Sequence, residues 1–275
     1  MRLLQRHLPH LILLVVGTFI VAPLVMVTFA SFTTGGIPWL WKGFTLDSYA
    51  AVISDRKFQT GTVFALAISA MATAISLALG VMAAYALDRA RFRGRGVIEV
   101  AFLSPLSIPR VVVGVALFIV YLSLMRSLYD SMLGVALAHC FLLLPFVITF
   151  IKVGMSWIDP RLEEAARDLG DNATSAAFKI TFPLLIPAMT AVAGLVFVMS
   201  FDEVDTTIFL IRTKVHTLST AVFLYAQNHQ DGTVAAVSVL VLAATIVFTI
   251  IVVMISSYAL SRGAGIQSIR SKIET

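Results

Sequence analysis

Apolar residues in this chain run in long blocks separated by short polar interruptions. Six blocks stand out, at 11–32, 61–86, 97–124, 132–153, 184–211 and 233–260. A bilayer core about 30 Å thick takes roughly 20 apolar residues of helix to cross, so each block predicts a transmembrane span. The predicted fold class is all-α: a polytopic bundle of six membrane helices forming one transmembrane domain over 1–275. Two blocks are impure. Glu99 and Arg110 interrupt the third, and Asp202, Glu203 and Asp205 the fifth. Arg2 and Arg6 precede the first block, as in a secretory signal. That block exceeds the 7–15 apolar residues of a signal core, and an uncleaved first span is expected.

Composition strengthens this picture. The chain is 59% hydrophobic and only 13% charged, with a mean hydropathy of +0.95. A soluble domain carries about a quarter charged residues. A soluble globular protein, a disordered chain and a disulfide-stapled module are all excluded. Cys140, the single cysteine, has no internal partner to bond. The net charge of +5 would suggest nucleic acid in a soluble protein. Here the cations sort by side. With the N-terminus inside, thirteen Lys and Arg fall in inner segments and six in outer ones, with Arg110 inside a span. That asymmetry predicts cytoplasmic termini and no nucleic-acid partner. Asp88-Arg-Ala-Arg-Phe-Arg-Gly-Arg95 is its strongest element. The longest outer segment, about 33–60, has turn residues at Gly35, Gly36, Pro38 and Gly43, and Trp39, Trp41, Phe44 and Tyr49 suited to the headgroup layer.

The most charged stretch is 156–182, on the predicted cytoplasmic side. Asp159-Pro160 is a helix start, a capping acid followed by proline at the first helical position. Glu163 and Glu164 then suit the positive end of the helix dipole. Gly170 is a stop signal of the left-handed type. Asp171 or Asn172 can cap a second helix, which Pro183 is expected to end near Ile180. The stretch predicts helix, glycine turn, helix along the membrane surface. Glu164-Ala165-Ala166, three residues, Gly170, nine residues, Ile180, one residue, Phe182, Pro183 resembles the EAA loop of binding-protein-dependent ABC importer permeases, with Phe182 where leucine is usual. The resemblance implies a type I importer permease fold. It also implies that Glu163, Glu164, Ala165, Ala166, Gly170, Ile180 and Pro183 belong to a coupling segment that docks on a separate ATPase.

The likeness covers nearly the whole chain. Ser104-Pro-Leu-Ser-Ile-Pro-Arg110, continuing to Leu117, resembles the spermidine/putrescine-type permeases. So do Ser200-Phe-Asp-Glu-Val204, Thr217-Leu218 and Asp231-Gly-Thr-Val-Ala-Ala236. This implies a bacterial inner-membrane permease for a small solute, paired with a second homologous permease, two ATPase subunits and an external solute-binding protein. Arg110 and Ser219 depart from the pattern, which sets amino-acid-like or opine-like solutes beside polyamines. No G-x-x-x-x-G-K-[ST] loop occurs in the sequence. The chain is therefore expected to be no enzyme and to hold no cofactor, with ATP and magnesium on the partner ATPase.

Ionisable groups inside spans are costly and usually face a bundle interior or a wet path. If the fifth span is one helix, Asp202 and Asp205 share a face, with Glu203 about 100° round. Arg110 follows Pro105 and Pro109, so the third span begins kinked. Arg110, Asp202, Glu203 and Asp205 are candidate pathway residues, and Arg110 is also a candidate partner for an acid. Glu99, near Arg95, reads as a solvated group. His139 and Cys140 diverge on a helix, and no spacing suits a metal. Gly80, Ala83, Ala84, Gly114 and Gly194 suit close helix packing. The alternative is a self-sufficient ion-coupled transporter using the span acids for protons.

Overall fold

The computed structural model describes residues 2–34, 43–212, 216–229 and 231–273, with side chains from 10 to 258 within those ranges. Of the outer-segment aromatics, Trp39 and Trp41 lie outside the described residues. Helices account for nearly all of the described chain: α1 (Arg2–Ser31), α2 (Asp47–Ser54), α3 (Arg56–Arg89), α4 (Arg95–Leu103), α5 (Arg110–Leu124), α6 (Met132–Met155), α7 (Arg161–Asp168), α8 (Ala173–Ala176), α9 (Phe182–Phe201), α10 (Thr207–Leu210), α11 (Leu218–Asn228) and α12 (Gly232–Ile273). Apart from one isolated bridge between Thr33 and Phe44, the described residues hold no β-structure.

Five stretches are long and apolar enough to cross a membrane: His10–Ser31, Arg56–Arg89, Met132–Met155, Ala173–Phe201 and Gly232–Tyr258. The third predicted span is instead a bent pair, which makes a sixth crossing only if the pair counts as one span. Helix α4 and the 3-10 turn Ser104–Ser107 meet α5 at 105°. Helix α5 alone has 15 residues, about 22 Å at 1.5 Å per residue, short of a bilayer core. Pro105 and Pro109 explain the break, since neither can donate a backbone N–H to a continuing helix.

The fold divides into two compact units. One is Met1–Thr60 with Ala221–Thr245, the other Gly61–Thr220 with Ile246–Thr275. In the first, Phe44 and Tyr49 do not simply splay into the interface. Phe44 stacks on Phe32 at 5.3 Å, Tyr49 lies 5.2 Å from Phe32, and the Tyr49 hydroxyl meets Ser31 Oγ at 2.7 Å. These contacts bring Phe44, and Tyr49 of α2, onto the end of α1.

In the second unit, α6 is the central helix. Val135, Ala136, Ala138, Val147, Ile148 and Ile151 are all fully buried. One core cluster joins Val81, Ala84 and Leu87 of α3 to Leu143, Val147 and Ile151 of α6 and to Leu185, Val192 and Val196 of α9. A second gathers Ile68, Ala72, Tyr121, Val135 and Leu210. Small residues set the spacing. A Cβ on Gly80 would lie 2.5 Å from Val147, and one on Gly194 would lie 2.5 Å from Val252 of α12. The apolar side chains left outside, such as Phe19 at 80% exposure, suit lipid as the surrounding solvent.

Two expectations from the sequence are corrected. Pro183 does not end a helix; helical structure is continuous from Ala173 to Phe201. A π turn at Ala177–Thr181 leads into α9, and the Phe182 N–H reaches back five residues to Ala177 O. Pro183 then stands in the first turn of α9, where a missing N–H costs little. The fifth span is also not one helix to 211. It stops at Phe201, with Asp202 as its cap, and α10 starts at Thr207.

Candidate functional site

Two constellations collect the residues that sequence reasoning singled out, both within the second unit. The first is the polar insert. The Asp159 carboxylate accepts the Arg161 N–H at 3.0 Å, so the expected Asp159 cap forms, with Pro160 between it and the regular helix. Helix α7 ends in a Schellman turn. Asp171 N–H bonds Ala166 O at 3.1 Å and Gly170 N–H bonds Arg167 O at 3.0 Å. Gly170 has φ +100 with nothing within 4 Å of where a Cβ would stand. The site is therefore closed to L side chains by backbone conformation and not by crowding. Asn172 caps the next helix by accepting Ser175 N–H at 2.7 Å. Lys179 and Ser175 both donate to the Asp171 carboxylate and hold it below its ordinary range.

Helix α7 is two-faced, and the boundary falls between adjacent acids. Glu164 and Ala165 are exposed, and Leu169 is 90% exposed. Ala166 and Ile180 are half-buried and Pro183 exposed. Glu163 points the other way. It accepts a hydrogen bond from Tyr85 OH at 3.1 Å and one from the hydroxyl of Thr181, and Arg89 Nε lies 3.5 Å away. Arg89 also pairs with Asp88 at 2.9 Å. Tyr85 and Thr181 do not stand out in the sequence, and Arg89 does so only as part of the basic loop, not as a partner of Glu163. Each is an ordinary polar residue near a helix end, and nothing local marks it as a partner of Glu163. Glu99 pairs with Lys152 of α6 while 31% of its side chain stays exposed.

The second constellation forms where two broken helices meet. Arg110 opens α5, and its guanidinium Nη1 donates to Glu203 Oε2 at 2.7 Å. Glu203 has 4% of its side chain exposed, and Arg110 42%. The other carboxylate oxygen of Glu203 accepts the Thr206 N–H at 3.0 Å. Thr206 Oγ1 in turn donates to Arg110 O at 3.0 Å. Gly114 permits this approach, since a Cβ there would lie 2.8 Å from Phe209 and 3.0 Å from the Thr206 backbone. Asp202 and Asp205 remain exposed. The helical argument that let all three acids share one pathway face does not apply, because 202–206 is a turn. The structure brings Arg110 to Glu203, and not to Asp202.

A buried histidine supports this turn. His139, fully buried in α6, lies 2.7 Å from Ser200 Oγ by Nδ1 and 2.8 Å from Thr207 Oγ1 by Nε2. Thr207 spends its hydroxyl proton on Glu203 O at 3.0 Å. It must therefore accept from Nε2–H, which leaves Nδ1 to accept from Ser200. His139 thus joins the last turn of α9 to the first of α10, around Glu203. The signal was present in the sequence: a polar ring inside an apolar span has to find partners.

Comparison with known proteins supplies the wider frame. The profile described as "binding-protein-dependent transport system inner membrane component" matches residues 76–265, more than half of the chain. The putrescine transport system permease protein PotI of Escherichia coli K12 is 29% identical over 241 residues, covering 86% of each chain. The spermidine/putrescine transport system permease protein PotC of Haemophilus influenzae is 24% identical, covering 86% of this chain and 91% of its own. Among solved structures, a bacterial ABC transporter importing the acidic polysaccharide alginate superposes with a TM-score of 0.76 at 14% identity, over 94% of this chain and 98% of that one. An amino acid ABC transporter crystallised with histidines gives 0.58 at 17% identity, over 78% of this chain and all of that one.

Proposed function

We propose roles for the two constellations from one premise: the chain belongs to the family of binding-protein-dependent transport system inner membrane components. It is a transmembrane permease subunit of an ABC importer for a small solute. A self-sufficient ion-coupled transporter is set aside. Glu203, the buried acid of the turn, is engaged by Arg110 and by a backbone N–H, which suits a fixed structural acid better than a shuttling proton carrier.

In our reading the segment 156–182 is the docking element for a separate ATPase, and the termini are cytoplasmic. ATP and magnesium are held by two ATPase subunits. A second homologous permease completes the pathway, and an external binding protein delivers the solute. One observation carries this assignment. Helix α7 turns Glu164 and Ala165 outward, Leu169 just past its end is exposed, and the positive-φ turn at Gly170 fixes the direction of the following helix. An apolar tip flanked by charge, held on a rigid turn, suits a cleft on a partner protein. ATP-driven closure of the ATPase pair would move α7 and the spans joined to it.

The Arg110–Glu203 pair bears on the solute. Once Arg110 is neutralised by Glu203, the turn presents Asp202 and Asp205 as its unbalanced charges. That favours a cationic amine, and the relatives named for putrescine and spermidine support the same choice. An amino-acid-like or opine-like solute would require Arg110 to leave Glu203 for a solute carboxylate. The test is uptake of putrescine, and separately of amino carboxylates, by the assembled importer in proteoliposomes. The reading expects putrescine uptake that falls at least tenfold in Asp202→Asn/Asp205→Asn. Uptake of amino carboxylates alone, lost in Arg110→Ala, would contradict it.

A further inference from the structure

We propose that Glu163 is a positioning residue, a tie that carries movement of α7 into α3 and α9 while the neighbouring Glu164 faces the ATPase. The proposal rests on reading α7 as the docking helix. Successive residues on a helix point about 100° apart, so the two acids of one motif can serve opposite faces.

Helix α7 has only eight residues and buries none of them. Its apolar hold is Leu162, partly buried against the main core cluster. A push on such a helix could be absorbed by pivoting on Leu162 and flexing the chain at Pro160 and Gly170. The Glu163 carboxylate removes that freedom. One of its oxygens takes the Tyr85 hydroxyl of α3 at 3.1 Å, and the other takes the hydroxyl of Thr181, the residue that ends the π turn before α9. Arg89, one turn beyond Tyr85, adds its charge at 3.5 Å. Hydrogen bonds to a carboxylate are roughly twice as strong as neutral ones. The site is largely shielded, with 12% of the Glu163 side chain and 18% of Arg89 exposed and Thr181 fully buried.

The linkage reaches further through rings. Tyr85 packs on Phe182 at 5.6 Å, and Phe182 on Phe178 at 4.8 Å. One carboxylate thus fastens α7 to a span on one side and to the root of another on the other side. The π turn lies at this junction. A turn of i→i+5 bonds is a local irregularity in a helix, and Thr181 places it directly under the load from α7.

The test uses the assembled importer in nanodiscs, with spin labels on exposed Leu124 of α5 and Ile186 of α9. Three quantities are measured: ATPase subunits retained per permease, ATP hydrolysis, and the ATP-dependent change in label separation. Glu163→Gln is expected to retain the ATPase at the wild-type ratio and to hydrolyse ATP, with the ATP-dependent population shift reduced at least fivefold. Thr181→Val should do the same. Thr181→Ser, which keeps the hydroxyl, should restore the shift, a rescue that a purely volumetric role for Thr181 would not give. A wild-type shift in both Glu163→Gln and Thr181→Val would overturn the tie. So would loss of ATPase from Glu163→Gln, which would make Glu163 part of the grip. Should Glu163→Gln fail to fold, the Thr181 pair decides alone. Glu164→Lys separates the two levels. If it keeps its ATPase, the docking reading fails; if it loses the ATPase while Glu163→Gln moves normally, only the tie fails.

Discussion

The insert at 156–182 and the junction of α5 with 202–207 both gather charge, and they treat it in opposite ways. The insert divides its charge between two faces. Glu163 is tied inward, while Glu164 and the apolar Leu169 are left outside with no described partner to cover them. The junction closes on itself. Arg110, Glu203, Thr206, Thr207, Ser200 and His139 form a continuous set of bonds, with Asp202 and Asp205 left at the rim. The difference teaches where each element's binding energy is held. In the proposed docking role, the insert keeps groups unsatisfied until its partner arrives. An intramembrane break must satisfy its backbone and charges internally, because lipid supplies no hydrogen bonds.

Substitutions at the junction and at the insert should therefore fail differently. Arg110→Ala strands Glu203 in a buried position. Breaking a buried pair costs about 3–5 kcal/mol, and the low end, about 3 kcal/mol, is expected because Arg110 is 42% exposed. Thermal unfolding of the detergent-solubilised protein should register the loss. Arg110→Ala/Glu203→Gln should recover most of it, since the two residues act as one unit. An additive double mutant would break the picture of a closed pair.

His139→Phe comes next. It leaves the Ser200 and Thr207 hydroxyls without their imidazole, for a cost of about 2 kcal/mol. Uptake should fall along with stability, because the turn holding Glu203 loses its support. Unchanged uptake would show that the histidine only fills space.

Gly170→Ala at the insert should cost less, about 1 kcal/mol, because φ +100 disfavours any Cβ while the space around it is open. Its effect should appear in transport per ATP hydrolysed more than in unfolding temperature. The smallest effect is expected for Asp171→Asn. Lys179 and Ser175 hold this carboxylate below its usual range. Whatever it contributes is present at neutral pH and disappears only as pH falls through that lowered value. Lys179 is well exposed, so the pair is weak. Uptake near neutral pH should stay within about twofold of wild type, a bound set by the small worth of exposed pairs.

Much of this was legible from residue order. Apolar blocks located the spans, and Pro105 with Pro109 announced the break in the third. Asp159, Gly170 and Asn172 wrote the caps and the turn of the insert, because capping is a local matter of a few neighbouring backbone groups. The parts that escaped are those settled by distant contacts. Tyr85 and Glu163 lie 78 residues apart, and Arg110 and Glu203 lie 93 apart. The spacing of Asp202, Glu203 and Asp205 allows one helical face, yet the chain leaves the helix at Phe201, where His139 bonds Ser200 and Thr207 and Thr206 bonds Glu203. Pro183 misled in the other direction. A proline disrupts a regular helix by its missing N–H and by its ring meeting the carbonyl four residues back, and here Pro183 follows a π turn where the ladder is already irregular.

The most direct test sets the two regions side by side. The ATPase subunit retained per permease after purification of the assembled importer should be measured for wild type, Glu164→Lys and Arg110→Ala. The account predicts at least a tenfold loss of ATPase from Glu164→Lys, equivalent to about 1.4 kcal/mol of docking energy, and retention at the wild-type ratio by the Arg110→Ala protein that survives purification. Full retention by Glu164→Lys, or equal loss from both variants, would contradict the assignment of ATPase docking to the insert.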